Sequence, residues 1–424
     1  MTRGKAPLAP RIAALAQELT GQPLAFGLRA YDGSQAGPAG PPALEIATPV
    51  ALRRMIWNPG ELGIADAYVA GDLQVHGDLL SLLRLLHGST AGRRTAAGPT
   101  GAARPAAGRL GRPPVRSLAA AARLALGAGA LGPRPPVPAA RARVRGRQHS
   151  RARDRAVVAH HYDLSNDFYQ LLLDPAMCYS CGYWSSAEPG YGLAGAQRDK
   201  LDLVCRKLGL AQGARLLDLG CGWGSLVQHA AEHYGAKVTG VTLSAQQARY
   251  ARQRITSAGL DGRAEIRLTD YRDISDGPYD AISVIEMGEH VGAARYPAFA
   301  AQLAGLLAPR ARLLVQQMSR GGRAPDGGPF IASYIAPDMH MRPLPRTLAL
   351  LQAAGLEIVG VEGMREHYAL TFQAWRETLD LRFAQVQALL GPQGARVWRM
   401  FLAAGGLSFE RGTTGVDQIV ATRR

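Results

Sequence analysis

Two hydrophobic periods alternate along residues 151–424. Short β-type apolar runs, ARLLDLG at 214–220, AKVTGVTL at 236–243, AEIRLTD at 264–270, YDAISVIEM at 279–287 and ARLLVQQM at 311–318, are mostly separated by segments of helical spacing. Five candidate strands alternating with helices predict an α/β fold with a doubly wound sheet. Upstream, residues 1–20 carry a helical pattern (IAALAQEL), and 22–88 read as a small α+β domain. That domain's pattern predicts a strand over Leu44–Ala51, a turn at Asn58-Pro59-Gly60 and a helix over ELGIADAYVAG. A second helix starts at Asp78, whose carboxylate suits an N-cap. No internal repeat is visible.

Composition changes the picture between the two domains. Residues 89–150 are rich in Ala, Gly, Pro and Arg, with twelve Arg and no Lys, Asp or Glu. Such a stretch buries too little to offset its chain entropy, so it is expected to be a disordered linker between domains 1–88 and 151–424. It also carries most of the net charge of +16, leaving +4 for the rest. Ser117–Leu126 has helical character for use on a partner. An Arg cluster without an acid suits an anionic surface, and each Arg near an anionic leaflet contributes up to about 1 kcal/mol. A nucleic-acid-binding protein would use the same charge, but no reading module accompanies it and no interleaved aromatics do.

The four cysteines include one Cys-x-x-Cys pair, Cys178 and Cys181, without a second pair or a matching histidine spacing. That argues against zinc, and the absence of a thioredoxin-like βαβ pattern argues against a redox pair. The expectation is a reduced cytoplasmic protein with no metal. No signal peptide or uninterrupted apolar run of about 18 residues is present, so membrane contact is expected to be peripheral.

The candidate chemistry lies at the strand ends. Asp218 precedes Gly220, Gly222 and Gly224 in a strand–turn–helix segment, DLGCGWG. Glycines there allow positive φ and a close ligand approach. Their spacing differs from the dinucleotide fingerprint. Asp218 suits a sulfonium amino acid, either as acceptor or as counter-charge. Thr242, Leu243 and Gln247 follow the next strand. Asp270 and Tyr271 follow the third, placed for an adenine amino group and ring.

The chain resembles the cyclopropane-fatty-acid synthases and mycolic acid methyltransferases. The resemblance spans about residues 155–420. It rests on His160-His161-Tyr162-Asp163-Leu164-Ser165-Asn166-Asp167-Phe168-Tyr169, on Asp174-Pro175 and on Cys178-Tyr179-Ser180-Cys181-Gly182-Tyr183-Trp184. DLGCGWG, GVTLSAQQ, DYRD and Glu289-His290-Val291-Gly292 follow in the same order. It implies a class I methyltransferase sheet and S-adenosylmethionine as cofactor, with Tyr179 and Ser180 joining the strand-end residues around it. It also implies a bicarbonate base held by Cys181, Glu289, Tyr368 and the segment Gln316–Met318. Tyr368 lies in a Tyr-x-x-Thr-x-x-x-Trp pattern ending at Trp375. One departure is Gln316, where cyclopropane synthases typically carry His; an amide has no charge or titratable proton. Arg29–Ser34 and Pro59–Gly71 resemble actinobacterial members, some of which make 10-methylene or 10-methyl branched chains.

The implied reaction adds one carbon to the double bond of an unsaturated phospholipid acyl chain through a carbocation. Such a cation needs a dry pocket and benefits from aromatic faces, for which Tyr183, Trp184, Phe330, Tyr334 and Trp375 are candidates. Glu289 is expected to orient the base, with Tyr368 as hydrogen-bond partner. Cys181 is expected to contribute its backbone N–H, not its thiol. His160, His161 and His290 are expected to be structural or pocket-lining. Phe330–Pro345, with its Pro and Met content, suits a lipid-facing lid. The protein is expected at the inner face of the cell membrane, with a reductase partner if the product is a methylene branch. Its small N-terminal domain suits either dimerisation or lipid docking. A small-molecule methyltransferase would share the glycine loop but lack the YSCGYW and EHVG segments.

Overall fold

The computed structural model describes residues 6–91, 122–162, 165–321 and 325–424. The chain forms two compact units that divide between Arg141 and Ala142.

In the first unit, β1 (Gly27–Ala30), β2 (Gln35–Ala36), β3 (Ala43–Ile46) and β4 (Leu73–His76) form a sheet in the order β2-β1-β3-β4. The turn Asp32-Gly33-Ser34 serves a remote helix. Asp32 and Ser34 accept the first free N–H groups of α1 (Leu8–Thr20), from Leu8 and Ala9, at 2.8 Å each. The strand expected over Leu44–Ala51 ends early. Thr48 caps α2 (Pro49–Trp57), whose Pro49 has φ preset for a first turn. α3 (Glu61–Ala70) packs so closely on α2 that a Cβ at Gly63 would lie 2.1 Å from the Asn58 carbonyl oxygen. Asp78 caps α4 (Leu79–Ala91) through Ser81 N–H, as its position predicts.

Of the segment expected to be a disordered linker, residues 92–121 lie outside the described residues, but 122–150 are placed. Ala125, Ala128 and Ala130 are buried. Backbone carbonyls of Gly129, Ala130, Gly132 and Pro136 accept from Arg53, Trp57 and Arg54. Arg141 pairs with buried Asp66 at 2.9 Å. Carbonyl acceptors and one buried ion pair hold this stretch where hydrophobic periodicity does not.

The second unit is built on a seven-stranded sheet, β10-β11-β9-β8-β5-β6-β7. Its five expected strands are β5 (Arg215–Leu219), β6 (Lys237–Thr242), β7 (Ala264–Leu268), β8 (Tyr279–Ile285) and β9 (Leu307–Ser319), all parallel to their neighbours within that set. Two further strands, β10 (Leu356–Gly363) and β11 (Gly415–Arg423), extend it antiparallel beyond β9. The doubly wound α/β fold read from the sequence is therefore present.

Helices cover both faces, and the period of two along each strand decides which. Leu216, Val238 and Leu314 pack against α7 (Leu193–Leu208), α8 (Ser225–His233) and α9 (Ala245–Ser257). Leu217, Ile282 and Val315 pack against α10 (Tyr296–Leu306) and α11 (Leu344–Ala353). A third, aromatic cluster joins α6 (Asn166–Leu172) to α12 (Arg365–Leu381) and α13 (Phe383–Glu410), the helical insertion between β10 and β11. α5 (Arg151–Tyr162) leads into α6. Among the described residues no helix is long and apolar enough to cross a membrane.

Candidate active site

The carboxyl ends of β5, β6, β7 and β8 open onto one cavity. Asp218, Gly220, Gly222, Thr242, Leu243, Gln247 and Tyr271 line it, together with Tyr179 and Ser180. The backbone N–H groups of Gly220 and Cys221 both donate to Val241 at 2.9 Å, tying the glycine turn to β6. Gly220 (φ 79°) and Gly222 (φ 54°) are in the left-handed region. A Cβ on Gly220 would meet Met287 at 2.8 Å, whereas one on Gly222 would enter open space. The cradle thus requires glycine for packing at one position and leaves room for a ligand at the other. Asp218 accepts from Ser283 Oγ at 2.7 Å, and burial pushes its carboxyl up to about 6. Thr242 Oγ1 donates to Gln247 Oε1 at 2.8 Å, and Ser244 caps α9 through Gln247 N–H.

Two expected cofactor residues do not line this cavity. Gly224 turns towards Ala251, where its absent side chain lets α9 approach. Asp270 has both oxygens held by Arg272, at 2.5 and 2.7 Å, and caps a short turn through Arg272 N–H. Its carboxylate pairs with that guanidinium, and Arg272 itself lines the cavity. Lys200 is a lining residue the sequence reading missed. Its Nζ donates to Ser180 Oγ at 2.9 Å and offers a cation opposite the acidic Asp218. Acid, base and glycine cradle fit a zwitterionic amino-acid moiety.

Asp218→Asn is expected to weaken binding of S-adenosylmethionine and S-adenosylhomocysteine by about 10–100-fold, the worth of a charge-assisted hydrogen bond of roughly 1.5–3 kcal/mol. Isothermal titration would measure this. Affinities within twofold of wild type would remove Asp218 from the binding set.

A second constellation adjoins the cavity and centres on Glu286, which the sequence reading did not single out. Glu286 follows β8 with φ 49°, an uncommon value for a non-glycine residue. Its Oε1 accepts from Cys181 N–H and from Gln316 Nε2, each at 2.8 Å, and its Oε2 from Tyr368 Oη at 2.5 Å. The Gln316 amide is oriented from behind. Gln418 Nε2 donates to its Oε1 at 2.9 Å, and Lys207 Nζ donates to Gln418 Oε1 at 2.6 Å. Three donors therefore converge on one carboxylate that also lines the cavity.

Three of the four expected catalytic residues, Cys181, Gln316 and Tyr368, thus meet at Glu286, and Glu289 stands apart. Glu289 is 0% exposed, and its Oε1 accepts from Met318 N–H at 2.5 Å. Among the described residues no donor reaches its Oε2. Burial, and then the neighbouring Glu286, push Glu289 up to about 8. It therefore holds its proton at neutral pH. Burial raises Glu286 as well, but its hydrogen bonds from Tyr368, Cys181 N–H and Gln316 oppose that rise and favour its charged form. The groups expected to hold bicarbonate do not fit that ion here: Cys181 N–H, Gln316 and Tyr368 already donate to Glu286, and Met318 N–H donates to Glu289.

α12 explains the pairing of the YSCGYW and HYALT segments. Thr371 Oγ1 accepts from Gly182 N–H and from Trp184 Nε1, both at 3.1 Å, and His367 Nδ1 accepts from Trp184 N–H at 3.0 Å. These bonds aim Cys181 N–H at Glu286. The Cys181 thiol is buried and pushed well above its ordinary range, so it stays neutral. Tyr183 stacks on His367, and neither Tyr183 nor Trp184 lines the cavity. Trp375 packs on Tyr179, with centroids 5.2 Å apart. Phe330 and Tyr334 pair at 5.5 Å in the segment expected to form the lid. His161 stacks on Trp398, and burial pushes it down to about 3. His290 lines the cavity and is pushed down to about 4. His160 contacts the Tyr334 carbonyl. Among the described residues no group of side chains could hold a metal ion.

The family model described as mycolic acid cyclopropane synthetase matches residues 149–419. The chain belongs to that family. Its fold and cofactor cradle are those of an S-adenosylmethionine-dependent methyltransferase. A probable fatty acid methyltransferase of Mycobacterium tuberculosis is 35% identical over 412 residues, covering 95% of this chain and 92% of that one. The tuberculostearic acid methyltransferase UfaA1 of the same organism is 34% identical over 437 residues, covering 98% and 92%. Among solved structures, the cyclopropane synthase MmaA2 from Mycobacterium tuberculosis superposes with a TM-score of 0.60 at 28% identity. The mycolic acid cyclopropane synthase CmaA1, complexed with SAH and CTAB, gives 0.60 at 31%. Each of these two alignments covers 63% of this chain and 98% of the other.

Proposed function

We propose that the protein methylates the double bond of an unsaturated fatty acyl chain carried by a phospholipid, through a carbocation on that chain. The observation that carries this reading is a buried, donor-rich carboxylate, Glu286, on the wall of the cofactor cavity. Methyl transfer to an oxygen or nitrogen takes the proton from that heteroatom, which a polar acceptor pocket or solvent can serve. Transfer to an alkene needs an acceptor beside the methyl, because the cation must lose a proton. When bound, S-adenosylmethionine supplies the electrophilic methyl.

The chain's residues do the rest. Tyr162, Tyr179 and Trp223 line the cavity, and Trp375 and Trp398 pack behind Tyr179, giving the aromatic, water-poor surroundings that a cation on the chain needs. Whether the product is a ring or a methylene branch, the proton lost comes from the newly added methyl. The two outcomes differ in whether a hydride shifts first. The relatives that match nearly the whole chain are named as fatty acid and tuberculostearic acid methyltransferases, which favours the branch. A methylene product requires a separate reductase to reach a methyl branch. The Arg-rich segment would bring the enzyme to an anionic leaflet.

The test is incubation with S-adenosylmethionine and oleoyl-phospholipid vesicles, followed by proton NMR of the released chains. Vinylidene signals are expected. High-field cyclopropane signals would overturn the branched assignment, and an unmodified chain would overturn the acceptor.

A further inference from the structure

The site contains the hydrogen-bond donors for an anion but no vacancy for one. Cys181 N–H, the Gln316 amide and Tyr368 Oη all end on Glu286 at 2.5–2.8 Å. An added anion would have to displace a charged side chain from its three donors or sit against it, and like charges at such range repel strongly in a buried site. We propose that Glu286 is itself the base that takes the proton from the alkylated chain, so that catalysis needs no bicarbonate. This rests on the alkene-methylation reading and names the acceptor within it.

Position supports the assignment. Glu286 keeps part of its surface open to the cofactor cavity, whereas Glu289 is 0% exposed and does not line it. Asp218, another carboxylate lining the cavity, accepts from Ser283, while Asp154 and Asp338 are paired with Arg272 and Arg153. Glu286, at the end of a parallel strand, has left-handed backbone (φ 49°), an uncommon conformation for a non-glycine residue, and its side chain lines the cavity. Gln316 fits the same arrangement. Fixed by Gln418 and Lys207, it gives Glu286 an N–H that does not titrate.

The step balances without an external reagent. A methyl C–H bond breaks, and its electron pair forms the new C=C bond, or the third side of a ring. The proton moves to a Glu286 oxygen. The carboxylic acid then releases it to solvent once the product has left. Tyr368 and Gln316 are positioning residues for this base.

Turnover is to be followed as S-adenosylhomocysteine release on oleoyl-phosphatidylglycerol vesicles, in carbon-dioxide-depleted buffer and with added bicarbonate. Wild-type rates are expected to agree within twofold. Glu286→Gln is expected to lose about 10²–10⁴-fold in kcat, the range for a removed general base, with S-adenosylhomocysteine affinity within about threefold. Glu286→Gly frees the three donors and is expected to gain a bicarbonate dependence that the wild type lacks. Wild-type activity that falls on depletion and returns with bicarbonate would overturn the proposal, as would near-normal turnover by Glu286→Gln. A titration with ¹³C-bicarbonate, read by NMR line broadening, separates this proposal from the choice of acceptor lipid. No broadening by the wild type is expected, and specific broadening would overturn the proposal even if the oleoyl chain proves to be the wrong substrate.

Discussion

Gly220→Ala is expected to destabilise the second unit by about 2–4 kcal/mol and to lower the apparent Tm by roughly 5–10 °C. Two costs combine. The residue has φ 79°, where an added Cβ strains the backbone. That Cβ would also lie 2.8 Å from Met287 Cβ and 2.9 Å from its Cγ. Met287 cannot swing aside freely, because the contact reaches its Cβ and it follows Glu286 at the end of β8. The damage should therefore extend to chemistry: kcat should fall as well as cofactor affinity, as Glu286 shifts from its three donors.

Gly222→Ala separates the two costs. It also has positive φ, 54°, but no atom lies within 4 Å of the added Cβ. It should cost only the strain, about 1–2 kcal/mol, and should act on cofactor affinity, since its methyl enters the cavity. Differential scanning calorimetry with titration of S-adenosylhomocysteine would show the contrast. Equal losses of stability in the two variants would mean that the Met287 contact relaxes and that the glycine turn is not a packing element.

Much of this site was legible because it obeys a positional rule. In an α/β sheet, ligands collect at the carboxyl ends of strands, so Asp218, Thr242 and Tyr271 could be placed from the apolar runs that precede them. Asp270 obeys the same rule but does not line the cavity. An arginine two residues on folds back and takes the carboxylate into a turn, a competition that spacing does not reveal. β10 and β11 were missed because they lack the continuous apolar runs of the parallel core. β10 alternates buried or half-buried with exposed residues, and β11 carries Asp417 and Gln418 within its length.

Glu286 is the instructive omission. It ends the run YDAISVIEM, so the strand rule already placed a carboxylate at the sheet's active edge. The family motif EHVG points instead to Glu289, three residues later. A short 3-10 turn over Gly288–His290 tucks Glu289 under Met318, and the left-handed turn at Glu286 brings that residue to the cavity. Neither turn is encoded by a hydrophobic period. The order in residues 122–150 was hidden for a related reason: its backbone carbonyls, which carry no sequence signal, accept the bonds that hold it.

Glu289→Gln is expected to be nearly as stable as the wild type at pH 5 and more stable at pH 8. The folded protein holds the Glu289 proton up to about pH 8, while the unfolded chain releases it near 4.5. Between those values the native state binds more protons than the unfolded state. Wild-type stability contributed by this group is therefore complete below about pH 4.5 and is lost as pH rises towards 8. The loss has an upper bound of about 4 kcal/mol across three pH units. Glutamine cannot ionise, and its amide oxygen can still accept from Met318 N–H, so the variant escapes that slope. Urea unfolding at pH 5, 6, 7 and 8 would measure the difference, which cancels the other titrating groups. A difference that stays flat would show that Glu289 ionises in the ordinary range, leaving two charges in the pocket. A rising difference would establish that Glu289 is neutral at working pH. Any charge on the pair then belongs to Glu286, the carboxylate that lines the cofactor cavity and whose charged form is favoured by bonds from Cys181, Gln316 and Tyr368.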